Sequence, residues 1–262
     1  MGLDVHIILQ NTGDAESRAV RMASMLTDGI KVTNANLEAL NGYQAKLEQG
    51  AVPVGSVQFV RRAMELADIT EPTNLSYPAG CEPYLKRKVW HSTAERALNM
   101  AGARFIKSAE TKVFTGFVLD SDAGVLGLNG HDQFQYNALH ALMSDAPVWI
   151  AEPVQWVSEY RYYVMETQII GSARYDQEES DSAPEPDLDV VKHCIADLAI
   201  QHPYALDMGV LASGETALVE VNDAWAIGLY GGAMKPQDYV RFLAARWAGL
   251  IGNTAHCNAL ET

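Results

Sequence analysis

Apolar and polar positions divide the chain into two patterns. Residues 4–10 (DVHIILQ) form a short apolar run that reads as a buried strand. Asp14 then precedes apolar positions Ala15, Ala19, Met22 and Leu26 at helical spacing, stopped by Gly29. A second short strand, Ile30 to Val32, leads into a helix carrying Leu37, Leu40 and Leu47. VPVGSVQFVRRAMELADI reads as a loop, a Ser56 N-cap and a third helix. Strands alternating with helices predict a small open α/β unit, which ends in the turn-rich EPTNLSYPAG.

Beyond that boundary the strands lengthen. The pattern predicts strands near 103–107, 113–120, 147–151, 155–165, 167–175, 204–211 and 216–222, with helices near 93–101, 132–144, 189–201 and 236–250. His131-Asp132 reads as a helix opening, with Asp132 as the N-cap. The acidic, Pro-containing DQEESDSAPEPDLD reads as a solvated loop. No internal repeat is visible.

Composition narrows the function classes. The chain has 262 residues, 48% of them hydrophobic and 20% charged, as in an ordinary globular protein. Its formal charge of −14 argues against a broad nucleic-acid-binding face. Cys81, Cys194 and Cys257 lack any CxxC spacing and predict reduced thiols in a cytoplasmic protein. No apolar stretch has the length of a membrane span, and MGLDVHIILQ lacks the layout of a signal peptide.

Candidate chemistry gathers first in YALDMGVLASGETALVEVN, which predicts a hairpin turning at Ser213-Gly214. With Ala212 opposite Glu215, Asp207 falls opposite Glu220, their Cβ atoms roughly 5 Å apart, and Asn222 points to the same face. Opposed carboxylates on an apolar hairpin repel, and a divalent cation would remove that cost. An oxygen-only set of Asp207, Glu220 and Asn222 suits Mg²⁺. The competing reading makes Asn222-Asp223 ordinary turn residues at a strand end.

PVQWVSEYRYYVMETQIIGSARY predicts another hairpin, turning at Glu166-Thr167. In that register Glu159 faces Arg174 and Arg161 faces Ser172, so Glu159, Arg161 and Arg174 share one face. The set reads equally as a cross-strand salt bridge on a solvated face. Lys107 ends an apolar strand before a Ser/Thr/Gly loop, as a phosphate contact would, although strands often end in lysine. Walker and GxGxxG spacings, a GxSxG elbow and an HExxH motif are all absent from the sequence.

The blocks PVGSVQFV, KVFTGFV, SEYRYYV and EVNDAWAIGLYGG, in that order over roughly residues 50–235, resemble the clade of small ATP-grasp proteins named for two arginines and a lysine. The resemblance implies an α/β (α+β) ATP-grasp fold, two α+β subdomains holding a nucleotide. It divides the chain into a small open α/β domain over 1–78, an ATP-grasp domain over 79–252 and a tail over 253–262.

It also implies ATP and Mg²⁺ as cofactors. Lys107 would contact the α- and β-phosphates, with Lys88 or Lys86 as the other phosphate lysine. The loop 111–116, with Lys112 and Thr115, would close over the triphosphate. Glu152 and Val154 would lie at the adenine hinge, and Glu159 would hold the ribose. Asp207, Glu220 and Asn222 match the family's magnesium ligands.

One departure is Ala205, where many ATP-grasp ligases carry arginine; Arg161 and Arg174 could supply charge near the γ-phosphate. The implied reaction joins a carboxylate to an amine through an acylphosphate, on an amino acid, peptide or protein. Its rivals are a kinase that stops at phosphoryl transfer and a nucleotide-binding sensor without catalysis. Arg161→Ala is expected to lower turnover more than nucleotide affinity.

Overall fold

The structure is a computed structural model describing residues 4–110, 113–176 and 183–258, with side chains to residue 252. The first unit runs β1 (Val5–Leu9), α1 (Ala15–Leu26), β2 (Ile30–Asn34), a 3-10 turn (Glu38–Tyr43), α2 (Gln44–Glu48), β3 (Val52–Val54) and α3 (Val57–Leu66). Its three strands form a parallel sheet in the order β2-β1-β3. Asp14 caps α1 by accepting the Ser17 N–H, and Ser56 caps α3 by accepting the Phe59 N–H.

Three local expectations change here. The buried face of α1 is Ser17, Ala19, Val20 and Ala23, while Met22 and Leu26 are exposed. Small residues on that face let α1 approach the last helix closely. The expected helix over Leu37–Leu47 is broken into a 3-10 turn and a short α-helix, although Leu40 and Leu47 are buried as anticipated. VPV is a strand rather than a loop. Pro53 is tolerated because β3 is an edge strand, where a missing N–H breaks little of the ladder.

The rest of the chain builds two antiparallel four-stranded sheets. The smaller, ordered β4-β7-β5-β6, contains β4 (Val89–Thr93), β5 (Ala103–Ser108), β6 (Phe117–Asp120) and β7 (Pro147–Ala151). Beside it lie α5 (Ala94–Asn99) and α6 (Gly130–His140), whereas α4 (Glu82–Leu85), which precedes β4, packs Tyr84 and Leu85 into a core with the larger sheet. β4 was not anticipated, and β6 is shorter than the expected 113–120 strand. The cap of α6 is Asn129, which accepts the Asp132 N–H, so Asp132 sits in the first turn instead of capping it.

The larger sheet, ordered β11-β10-β8-β9, contains β8 (Trp156–Met165), β9 (Gln168–Arg174), β10 (Tyr204–Leu211) and β11 (Thr216–Asp223), with α7 (Leu188–Leu198) before β10. Every residue of β10 is buried, so it reads as a continuous apolar run with Asp207 in its middle. α8 spans Pro236–Asn258, so residues 253–258, expected in a tail, are helical.

Tyr239, Phe242 and Trp247 of α8 share one core with Ile7, Val20 and Phe59 of the first unit and with Tyr163 and Ala205 of the large sheet. The turn-rich stretch 71–80 lies against this sheet: the Val221 N–H donates to Ser76 O at 2.9 Å. Among the described residues, no helix is long and apolar enough to cross a membrane.

Candidate active site

A cavity of about 800 Å³ lies between the two four-stranded sheets. The small sheet lends it Phe105, Lys107 and Phe117; the large sheet lends Trp156, Glu159, Val219, Glu220 and Asn222. Glu152, Pro153 and Val154, which link the sheets, complete one wall.

Asp207 pairs with Glu220 as expected. The route to that register differs, because the turn sets Leu211, not Ala212, against Glu215. Met208 then pairs with Leu218, and one extra residue, Val219, bulges from β11 before Asp207 meets Glu220. The bulge compensates for the one-residue error at the turn.

The carboxylates are already matched by protein cations. Arg161, opposite Asp207 on β8, donates from Nε at 2.7 Å and Nη2 at 2.6 Å, a bidentate pair. The Lys107 ammonium pairs with Glu220 across the cavity. Asn222 Nδ2 donates to Asp207 at 3.1 Å and to Glu220 at 2.8 Å. A cation is therefore not required to make the opposed carboxylates tolerable, contrary to the expectation from sequence.

The residues nonetheless suit Mg²⁺ in part. Glu220 and Asn222 offer oxygens at the cavity wall, where a hard cation keeping several waters fits. Asp207, with its side chain 1% exposed, stands behind them, held by Arg161 and Asn222. Among the described residues no three His, Cys, Asp or Glu side chains converge as a metal cage.

Burial pushes the Lys107 ammonium down to about 8, with Asp207 opposing and Arg161 and Arg87 reinforcing the shift. Arg161 moves the other way, because Asp207 outweighs the burial that disfavours its charge. Its guanidinium lies 5.6 Å from the Tyr175 ring centroid and 5.1 Å from that of Tyr230, and the two rings stack at 5.1 Å. Burial raises the Glu159 carboxyl, while the Tyr175 hydroxyl, donating to it at 2.9 Å, opposes.

Arg174 does not join this face. The second hairpin keeps the expected register at its turn, where Met165 pairs with Gln168. An irregularity at Ile170 then shifts it, so Arg174 faces Tyr160 and Arg161 faces Ala173. Arg174 binds Asp176, whose Oδ2 also accepts the Glu159 N–H. Arg161 itself is buried behind the wall.

Lys88 is also displaced from its expected role: its side chain is 83% exposed and its ammonium lies 3.8 Å from Glu152. Lys86, exposed in the left-handed region at the end of α4, is no closer in role. The cation lining the cavity from this segment is Arg87. Thr115 lies at the cavity, its N–H donating to Gln135 at 2.9 Å. Lys112 lies outside the described residues.

Sequence reasoning missed Arg87, Tyr175 and Tyr230. Arg87 stood between the two lysines considered, and strand alternation around β4 was the signal that could have singled it out. Tyr175 was placed only as the end of a strand. Ala205 is fully buried beside Tyr163, and Arg161 of the adjacent strand supplies the cation next to Asp207.

A family model for the ATP-grasp domain, family 2 of the clade named for two arginines and a lysine, matches residues 84–242, a span that contains Arg87, Lys107, Asp207 and Glu220. No curated protein matches the chain. Among solved structures, N5-carboxyaminoimidazole synthetase from Staphylococcus aureus, complexed with ADP, superposes with a TM-score of 0.55 at 7% identity, covering 94% of this chain and 78% of its own. D-alanyl-alanine synthetase A from Vibrio cholerae O1 biovar eltor gives 0.50 at 13% identity, covering 96% and 99%. The ATP-grasp ligase PsnB, complexed with a minimal precursor, gives 0.50 at 14%, covering 93% and 99%. At these identities the likeness is one of fold.

Proposed function

The chain belongs to family 2 of this two-arginine, one-lysine clade of ATP-grasp domains, and on that premise we propose that it is an ATP- and Mg²⁺-dependent carboxylate–amine ligase. The observation that carries this reading is the cavity between the sheets, with Lys107 beside Glu220 and Asn222. A cation for phosphate oxygens and oxygen ligands for a metal thus face each other across one cavity. The Glu152–Val154 segment would take the base, Glu159 the ribose and Lys107 the phosphates. Thr115 would lie over the triphosphate. Mg²⁺, held by Glu220 and Asn222 with Asp207 behind them, would neutralise phosphate charge and fix its geometry.

In the proposed reaction an oxygen of the substrate carboxylate attacks the γ-phosphorus. The bond to the β,γ-bridging oxygen breaks, and ADP leaves. The acylphosphate carbon is then attacked by an amine nitrogen, phosphate departs with the bonding pair, and the amine gives up a proton. Lys107 acts on charge in the first step, by placement rather than covalent chemistry.

A second cavity, of about 240 Å³, adjoins the first along Trp225 and offers room for a non-nucleotide substrate. Its wall carries Asp14, Glu16 and Ser56 and brings the first unit into contact with the site. PsnB was solved with a precursor, which supports including peptides among the acceptors tested.

Calorimetric titration with a slowly hydrolysed ATP analogue, with and without Mg²⁺, tests the reading on wild type and Glu220→Gln. Magnesium-strengthened binding that E220Q loses is expected, followed by ADP release with an acid and an amine together. A folded wild type that binds no analogue would refute the proposal. Phosphorylated product without an amine would mark a kinase, and tight binding without turnover a sensor.

A further inference from the structure

Arg87 leaves the end of α4 and donates to three backbone carbonyls. Its Nη1 reaches Leu218 O at 2.7 Å and Leu85 O at 3.0 Å, and its Nη2 reaches Val219 O at 3.2 Å. The guanidinium is held over two rings, 5.3 Å from the Trp156 centroid and 6.0 Å from that of Tyr77. Leu218 and Val219 are the two residues at which β11 departs from regular pairing.

That irregularity decides where Glu220 stands. From the turn as far as Met208–Leu218 the ladder is regular, and continuing it would set Val219 opposite Asp207. A one-residue slip reverses the face of every following side chain. The bulge at Val219 instead sets Glu220 opposite Asp207, at the cavity and against Lys107. Carbonyls at a bulge are left outside the regular ladder and need other donors.

We infer that Arg87 is a positioning residue: by binding the Leu218 and Val219 carbonyls it fixes the β11 bulge and so holds Glu220 at the cavity wall. The planar fork of arginine serves two neighbouring carbonyls at once, whereas the point charge of lysine does not. Arg87 precedes β4 of the small sheet and the bulge lies in the large one, so the contact also ties the two sides of the cavity together. The inference rests on the cavity being a nucleotide–metal site only for its consequence; the bulge contact stands without it.

Two readouts keep the parts separate. Hydrogen exchange on the full chain, without nucleotide, should show faster exchange of the amides at 218–221 in Arg87→Lys than in wild type, with those of β8 unchanged. Unchanged exchange at 218–221 would overturn the inference whatever the ligand. The second readout is binding of the slowly hydrolysed ATP analogue to wild type, R87K, E220Q and the double variant, each with and without Mg²⁺. R87K should reduce the magnesium enhancement about ten-fold, equivalent to about 1.4 kcal/mol, while magnesium-free affinity stays within about two-fold.

Adding R87K to E220Q should then have little further effect, since both act through one carboxylate. Equal weakening with and without Mg²⁺, or penalties that add in the double variant, would make Arg87 a direct phosphate ligand and overturn the positioning role. A wild type that binds no analogue would defeat the nucleotide reading while the exchange result still decides the inference. If R87K does not fold, Arg87→Gln, which keeps a donor for one carbonyl, takes its place in both measurements.

Discussion

Arg161 and Asp207 are both charged and both removed from water, with side chains 9% and 1% exposed. Two hydrogen bonds join them, and the Tyr175 and Tyr230 rings lie near the guanidinium. Removing one member of such a pair leaves the other charged and buried, which costs about 3–5 kcal/mol. Arg161→Ala should therefore lose about that much stability in urea denaturation, ahead of any effect on turnover. A loss below about 0.5 kcal/mol, the level of an ordinary surface change, would show that Asp207 finds another partner.

This replaces the expectation from sequence that Arg161 acts mainly on the reacting phosphate. The types of charge at the site were legible: Lys107, Arg161, Asp207 and Glu220 all stand out from apolar strands. Their pairings were less so, because Lys107 and Glu220 belong to different sheets and no local pattern relates them.

At the level of elements, the two hairpins show what register depends on. Strand positions in the large sheet were legible from alternation and apolar runs. The bulges at Val219 and Ile170 were not, because a bulge is an extra residue without a composition of its own. In the first hairpin the bulge cancelled an error at the turn; in the second it carried Arg174 to the wrong face.

Gly171, just past the second bulge, is a sequence trace of that geometry. A Cβ there would lie 2.4 Å from Ala233 O, so the bare backbone lets the 230–234 segment approach β9 and the Ser172 N–H reach Ala233 O at 3.2 Å. Gly171→Ala should destabilise the protein by about 1–3 kcal/mol through overpacking against backbone. Hydrogen exchange at the Ser172 amide should quicken with it; an unchanged amide would mean that the segment shifts intact.

Across the whole molecule, the most extended apolar core is shared by the first unit, the last helix and the large sheet, and the small sheet keeps a separate core with α5 and α6. A smaller core on the other face of the large sheet holds Cys81 and Cys194, together with Tyr84 and Tyr162. Burial disfavours the ionised form of these acids. It raises the Cys81 thiol from 9.0 to about 11 and the Cys194 thiol to about 12, and it lifts Tyr84 and Tyr162 from 10.0 to about 12.

The sign follows from proton counts. Below pH 9 these groups are protonated in both the folded and the unfolded chain, and they add no pH dependence. Between pH 9 and about 12 the unfolded chain sheds protons that the folded chain retains, so unfolding is favoured and stability falls as pH rises. The contribution of these four groups to the urea midpoint should thus be level up to about pH 8.5 and decline from about pH 9. It is superposed on the opposite contribution of Lys107, whose depressed ammonium makes stability rise with pH between about 8 and 10.5.

Mutual repulsion in a chain of net charge −14 acts in the same direction but is screened by salt. The two causes separate on repeating the series in about 1 M salt and in Cys194→Ala. A decline that persists in salt and flattens in the variant assigns it to buried thiols. A decline abolished by salt and unchanged in the variant would assign it to repulsion, and the buried thiol would then contribute nothing to the alkaline limit.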